Sequence, residues 1–148
     1  MYWTKEQQKR LNKEWELIHE YFPEFKLKYV DTRVCIEGWM KTNLSSRYLL
    51  RLYIPPDMPN SIPEVHILYP EHLVDYHGKA LVDYGQDSAM HLLTPHEGYP
   101  SICTFKPTHW NPNRTLYNVL IKVRIWLEAY QGHLVTGRPL DYFIKHQV

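Results

Sequence analysis

Two cysteines are too few for a disulfide framework, and Cys35 and Cys103 stand far apart in the chain. That scarcity excludes the small disulfide-stapled secreted class and points to a reducing compartment. No apolar run approaches the roughly 20 residues that a membrane-spanning helix needs. A net charge of +1 leaves no electrostatic footprint for nucleic acid or an anionic membrane. The opening residues, Met1 to Gln8, lack a secretory signal pattern, and there are no repeats or low-complexity tracts. His72, His77, His91, His96, Cys103 and His109 match no compact ligand spacing such as Cys-x-x-Cys, so neither a metal nor a cofactor is expected. The expectation is a soluble, cytoplasmic protein with no nucleic-acid or membrane partner.

The chain is rich in other things. Its 148 residues suffice for one domain, residues 1–148, with a core of its own. Twelve Tyr and five Trp supply large apolar faces, and eleven Pro fix many turns. Thr4 and Gln7 have capping-box spacing, and Leu11, Trp15, Ile18 and Phe22 recur at helical intervals, which predicts a helix from Thr4 to Tyr21 ended by Pro23. Phe25 to Val30, Arg33 to Met40 and Tyr48 to Ile54 are β-branched and aromatic runs with short polar links, as in an antiparallel meander, and Val65 to Leu68 is a fourth short strand. Tyr69 to Tyr99 reads as a long irregular segment, of a length that ordinary domains keep for function. A second helix is expected from Thr115 to Tyr130 with Gly132 as its C-cap, and Pro139 opens a short final helix running to the C-terminus. This order indicates an α+β domain with helices packed on an antiparallel sheet.

Cys103 ends the Gly/Pro segment Gly98-Tyr99-Pro100-Ser101-Ile102 and precedes Trp110-Asn111-Pro112. A nucleophilic thiol needs such loop access, with cationic or dipolar neighbours, whereas a lone cysteine is otherwise an inert small hydrophobe. Cys35, mid-strand between Val34 and Ile36, is expected to be of the inert kind. Trp15, Trp39 and Trp126 read as core or interface aromatics.

Four features in order resemble the ubiquitin-conjugating enzyme family. They are the helix followed by a strand meander; the proline-rich stretch Ile54-Pro55-Pro56-Asp57-Met58-Pro59-Asn60-Ser61-Ile62-Pro63; the Ile102-Cys103 pair; and Trp110-Asn111-Pro112 ahead of an amphipathic helix. The chain looks closest to the bacterial members encoded in antiphage (CBASS-type) operons. The resemblance implies a ubiquitin-conjugating (UBC-like) fold with an N-terminal helix, a meander sheet, an active-site loop, a following helix and truncated C-terminal helices.

It also implies an acyltransferase in which Cys103 forms a thioester with the C-terminal glycine of a ubiquitin-like protein or a cyclic-nucleotide synthase. An activating enzyme would load that group, and an amine such as a protein lysine would accept it. Eukaryotic members carry a His-Pro-Asn motif before the cysteine, where this chain has Thr94-Pro95-His96. The oxyanion-stabilising donor is therefore open among His91, His96 and Asn111. His96 is preferred as nearest to the missing motif, with Asn111 next; for Asn111 the rival reading is a turn residue bonding its own backbone. Lys106 and His109 are candidates for lowering the thiol pKa. Two further readings remain: a binding module of the same fold that forms no bond, and a cysteine hydrolase, which needs a histidine near Cys103 with a third, orienting group.

Overall fold

The computed structural model describes residues 3–144. Helix α1 spans Lys5–Tyr21 and starts where the sequence predicts, because Thr4 and Gln7 complete both arms of a capping box at 3.0 Å. Its Ile18 is fully buried. Strands β1 (Lys26–Val30), β2 (Arg33–Lys41), β3 (Arg47–Tyr53) and β4 (Glu64–Tyr69) follow as an antiparallel meander. Asp31 and Thr32, with φ of 48° and 66°, form the tight turn between β1 and β2, a conformation whose twist suits a two-residue hairpin.

The expected irregular segment is irregular over most of residues 70–91 but not to its end. It ends in a fifth strand, β5 (Leu92–His96), β6 (Tyr99–Ile102) begins at its last residue, and the six-stranded sheet runs β1-β2-β3-β4-β6-β5. Pro95 and Pro100 obscure both strands, since proline normally argues against a strand. β5 can hold Pro95 because it is the sheet's edge. Glu97 (φ 51°) and Gly98 (φ 82°) make the hairpin turn between them. Ahead of β5, the buried Asp75 accepts hydrogen bonds from the backbone N–H groups of His77 and Lys79, both at 2.8 Å, and from the Tyr84 hydroxyl. Burial pushes the Asp75 carboxyl up, but those bonds outweigh it and hold the group below its ordinary value.

Helix α2 covers Leu116–Thr136 and so runs past the expected end at Tyr130. Its cap is Gly137, with φ of 78° and its N–H bonded to the His133 carbonyl. Gly132 lies inside the helix for another reason: a Cβ there would come within 2.9 Å of the Phe143 ring. Pro139 leads into α3 (Leu140–Phe143), which stops short of the expected C-terminal end because Ile144 is extended, with φ of -134° and ψ of 148°; residues 145–148 lie outside the described residues. The buried Glu14 of α1 accepts the N–H of Leu116 at 2.7 Å, which satisfies an orphan donor at the start of α2.

Ile36, Leu50, Leu52, Val65 and Ile67 of the sheet share one hydrophobic core with Ile18 and with Val119, Val123 and Leu127 of α2. Alternation along β4 then sends His66 to the opposite, helix-free face, where it pairs in register with Arg51 and Ser101. Gly38 of β2 is where Phe25 crosses the sheet: an added Cβ would meet the Phe25 ring at 2.6 Å and its Cα at 2.8 Å. Backbone cannot yield as a flexible side chain would. Gly38→Ala is expected to cost about 2–3 kcal/mol and to lower Tm by roughly 5–10 °C. A thermal melt unchanged from wild type would contradict this packing.

Candidate active site

Cys103 follows directly on β6, so the thiol is aimed by a strand rather than by the irregular loop expected from sequence. It is partly exposed, whereas Cys35 is fully buried in β2. Two hydrogen bonds to one backbone carbonyl set its position. The Cys103 N–H donates to the His91 carbonyl at 2.9 Å. That same carbonyl accepts from the Trp126 indole N–H at 3.1 Å, which ties the cysteine's backbone to the middle of α2. The sulfur lies 3.9 Å from the Phe105 carbonyl oxygen.

The thiol opens onto a cleft of about 270 Å³ walled by Ile62 and Pro63 of the proline-rich loop, by His91 and Leu92, and by Phe105 and Lys106. The proline-rich loop is itself held from two sides. The Gln7 side-chain amide donates to the carbonyls of Pro56 (2.9 Å) and Met58 (3.0 Å), and the Trp110 indole donates to the Pro59 carbonyl at 3.1 Å. Trp110 also packs edge-on against Phe105, so the Trp-x-Pro turn braces the loop just after the cysteine.

Of the three donor candidates, only His91 lines this cleft. Its side chain is 3% exposed, and its Nε2 lies 3.0 Å from Asp141 Oδ1, with the proton's side set by the tautomer. Asp141 sits on α3, whose start is docked here by a bond from the Asp141 N–H to the Ala89 carbonyl at 2.9 Å. The contact with Asp141 was not legible in sequence: the residue lies far from Cys103 along the chain, and only the return of α3 brings it to His91. Asn111 accepts the Asn113 N–H at 2.9 Å and so bonds its own turn. His96 lies on the helix-free face of β5, its ring stacked at 4.8 Å on that of His66.

Burial pushes the Cys103 thiol above its ordinary value, against a smaller downward pull from the Lys106 cation. Thiolate is therefore the minor form at neutral pH. Alkylation of Cys103 by iodoacetamide should rise about tenfold per pH unit between about pH 7 and 9. Peptide-mapped rates check this, and a plateau below pH 8 would contradict it.

Beside this cleft lies a second one of about 330 Å³, which shares Glu64, Gln86 and Leu93 with the first and is lined by His66 and His96. Burial, then the neighbouring His96, Arg33 and Arg51, hold the His66 pKa down at about 4. Among the described residues, Glu64, His66 and His96 form a group of possible metal ligands. No described helix is long and apolar enough to cross a membrane.

An α+β sheet-and-helix fold with a half-buried thiol at a strand end, braced by a proline-rich loop and a Trp-x-Pro turn, defines a protein of ubiquitin-conjugating type. The model of the type II CBASS E2 protein family matches residues 14–141, and the chain belongs to that family. No curated protein and no solved structure matches the chain.

Proposed function

We propose that this chain is a ubiquitin-conjugating-like acyltransferase of bacterial antiphage defence, acting in the cytoplasm as one domain with Cys103 as its acyl carrier. The observation that supports this most is the placement of Cys103. It is the one cysteine among the described residues with solvent access, and it faces a cleft built from the proline-rich loop.

In the proposed reaction the Cys103 thiolate attacks the carbonyl of an acyl adenylate made by an activating enzyme, and AMP leaves. The acyl group is the C-terminal glycine of a ubiquitin-like protein or a cyclic-nucleotide synthase. An acceptor amine, such as a lysine, then attacks the thioester carbonyl, the C–S bond breaks, and sulfur departs as a good leaving group. The amine must lose a proton in this second step. His91, which lines the cleft and whose Nε2 lies 3.0 Å from Asp141 Oδ1, is our candidate to take it or to stabilise the oxyanion. Asn111 and His96 remain as rival donors, each requiring movement from its observed partners.

Incubation with a matched activating enzyme, ATP and donor should give an adduct that dissolves in thiol reductant. Single-turnover discharge of that adduct to free lysine then ranks His91→Ala, His96→Ala and Asn111→Ala. Failure to form any adduct would favour the binding module of the same fold. The His91–Asp141 pair also suits a cysteine hydrolase, in which water replaces the amine. Discharge that is as fast without lysine as with it would select that reading.

A further inference from the structure

His66 is 1% exposed, yet its Nδ1 has no hydrogen-bond partner among the described residues. Its Nε2 lies 3.6 Å from Glu64 Oε2, beyond a good hydrogen bond. A buried imidazole so poorly satisfied calls for a missing ion or water. The neighbours fit an ion. The His96 ring lies parallel to that of His66, 16° from coplanar, and one nitrogen from each ring and one Glu64 oxygen all lie within 4.8 Å of one another.

We propose that Glu64, His66 and His96 bind a divalent ion of the zinc class, which clips β4 to β5 across β6. Imidazole nitrogen with one carboxylate oxygen is a zinc-type donor set, whereas calcium and magnesium prefer oxygen throughout. Donors on a tetrahedral zinc with bonds of about 2.0–2.1 Å stand roughly 3.3 Å apart. The observed spread is wider, and the two outer ligands can close it: Glu64 and His96 have 49% and 38% of their side chains exposed, while His66 is fixed. Arg33 also contacts Glu64 Oε2, at 3.6 Å, and leaves the other carboxylate oxygen for the ion. A fourth position opens into the cleft bounded by Gln86, Thr94 and Ser101.

The sequence concealed this set because Glu64 and His66 lie on β4 and His96 on β5, and only the sheet order β4-β6-β5 gathers them. Glu64 lines the Cys103 cleft as well, so the ion would sit against the wall of the thiol site. The inference does not depend on the acyl chemistry.

The test is a zinc titration of the untagged, EDTA-stripped protein, read by calorimetry and by competition with a chromophoric chelator. One equivalent should bind at micromolar Kd or tighter. At a hundredfold excess over Kd, Tm should rise by about 5–10 °C. Glu64→Ala and His96→Ala, both at partly exposed positions, should each weaken binding at least tenfold. Both should also remove the visible bands of the cobalt-substituted protein. His72→Ala and His77→Ala, at exposed histidines outside the group, should leave binding intact. Absence of stoichiometric binding, or binding at wild-type affinity in both Glu64→Ala and His96→Ala, overturns the site.

Discussion

Cys103→Ala should abolish the reductant-labile adduct with the donor, and Cys35→Ala should leave it unchanged. Cys35 is fully buried in β2 with its thiol pushed up by burial, so it cannot meet a macromolecular acyl group. Cys103 is partly exposed at the end of β6. Cys103→Ser should still load, but slowly, because a hydroxyl is a far weaker nucleophile at neutral pH. The resulting ester should resist thiol reductant, and its oxygen should leave poorly when an amine attacks. The three variants thus predict three different gel patterns: no adduct, a stable slow adduct and a wild-type labile adduct. A labile adduct that persists in Cys103→Ala would remove the thiol from its assigned role.

Loss of the His91 imidazole should slow discharge of the preformed thioester to lysine by roughly a hundredfold or more, the usual loss for a positioned proton acceptor or oxyanion donor. Loading should suffer less, since the activating enzyme contributes its own groups to that step. Because the His91 carbonyl also holds the Cys103 N–H, a purely structural explanation must be separated. The backbone bond survives in both His91→Ala and His91→Gln, so iodoacetamide reactivity of Cys103 should stay close to wild type in each. Asp141→Asn, which keeps the ring but weakens its orientation, should give a smaller loss in the same step. Wild-type discharge in His91→Ala, with a defect in His96→Ala or Asn111→Ala, would transfer the role to one of those residues.

Helix α1, the first four strands and the start of α2 were legible because local signals decide them: the capping box at Thr4, β-branched and aromatic runs with short polar links, and an amphipathic run after Trp110-Asn111-Pro112. β5 and β6 were hidden because the prolines that argue against strands, Pro95 and Pro100, lie inside them and are tolerated near a sheet edge. The end of α2 was misplaced at Gly132, a glycine required by the approach of Phe143 rather than by a cap. The same division holds at the site. Cys103, the proline-rich loop and the Trp-x-Pro turn are contiguous motifs and could be read directly. The His91–Asp141 contact and the Glu64, His66 and His96 group depend on strand order and on the return of α3, which no local spacing encodes. The family's bacterial branch was reached by resemblance and the α+β class from the order of helices and strands; the family match over residues 14–141 agrees with the first and the observed elements with the second.

Intact-mass spectrometry followed by peptide mapping, after incubation with activating enzyme, ATP and donor, tests the central claim most directly. The account predicts a mass increase equal to the donor less one water. The acyl group should map to the peptide containing Cys103 and be released by thiol reductant or hydroxylamine at neutral pH. An acyl group found on a lysine or on Cys35, with Cys103 unmodified under conditions that consume the donor, would contradict it.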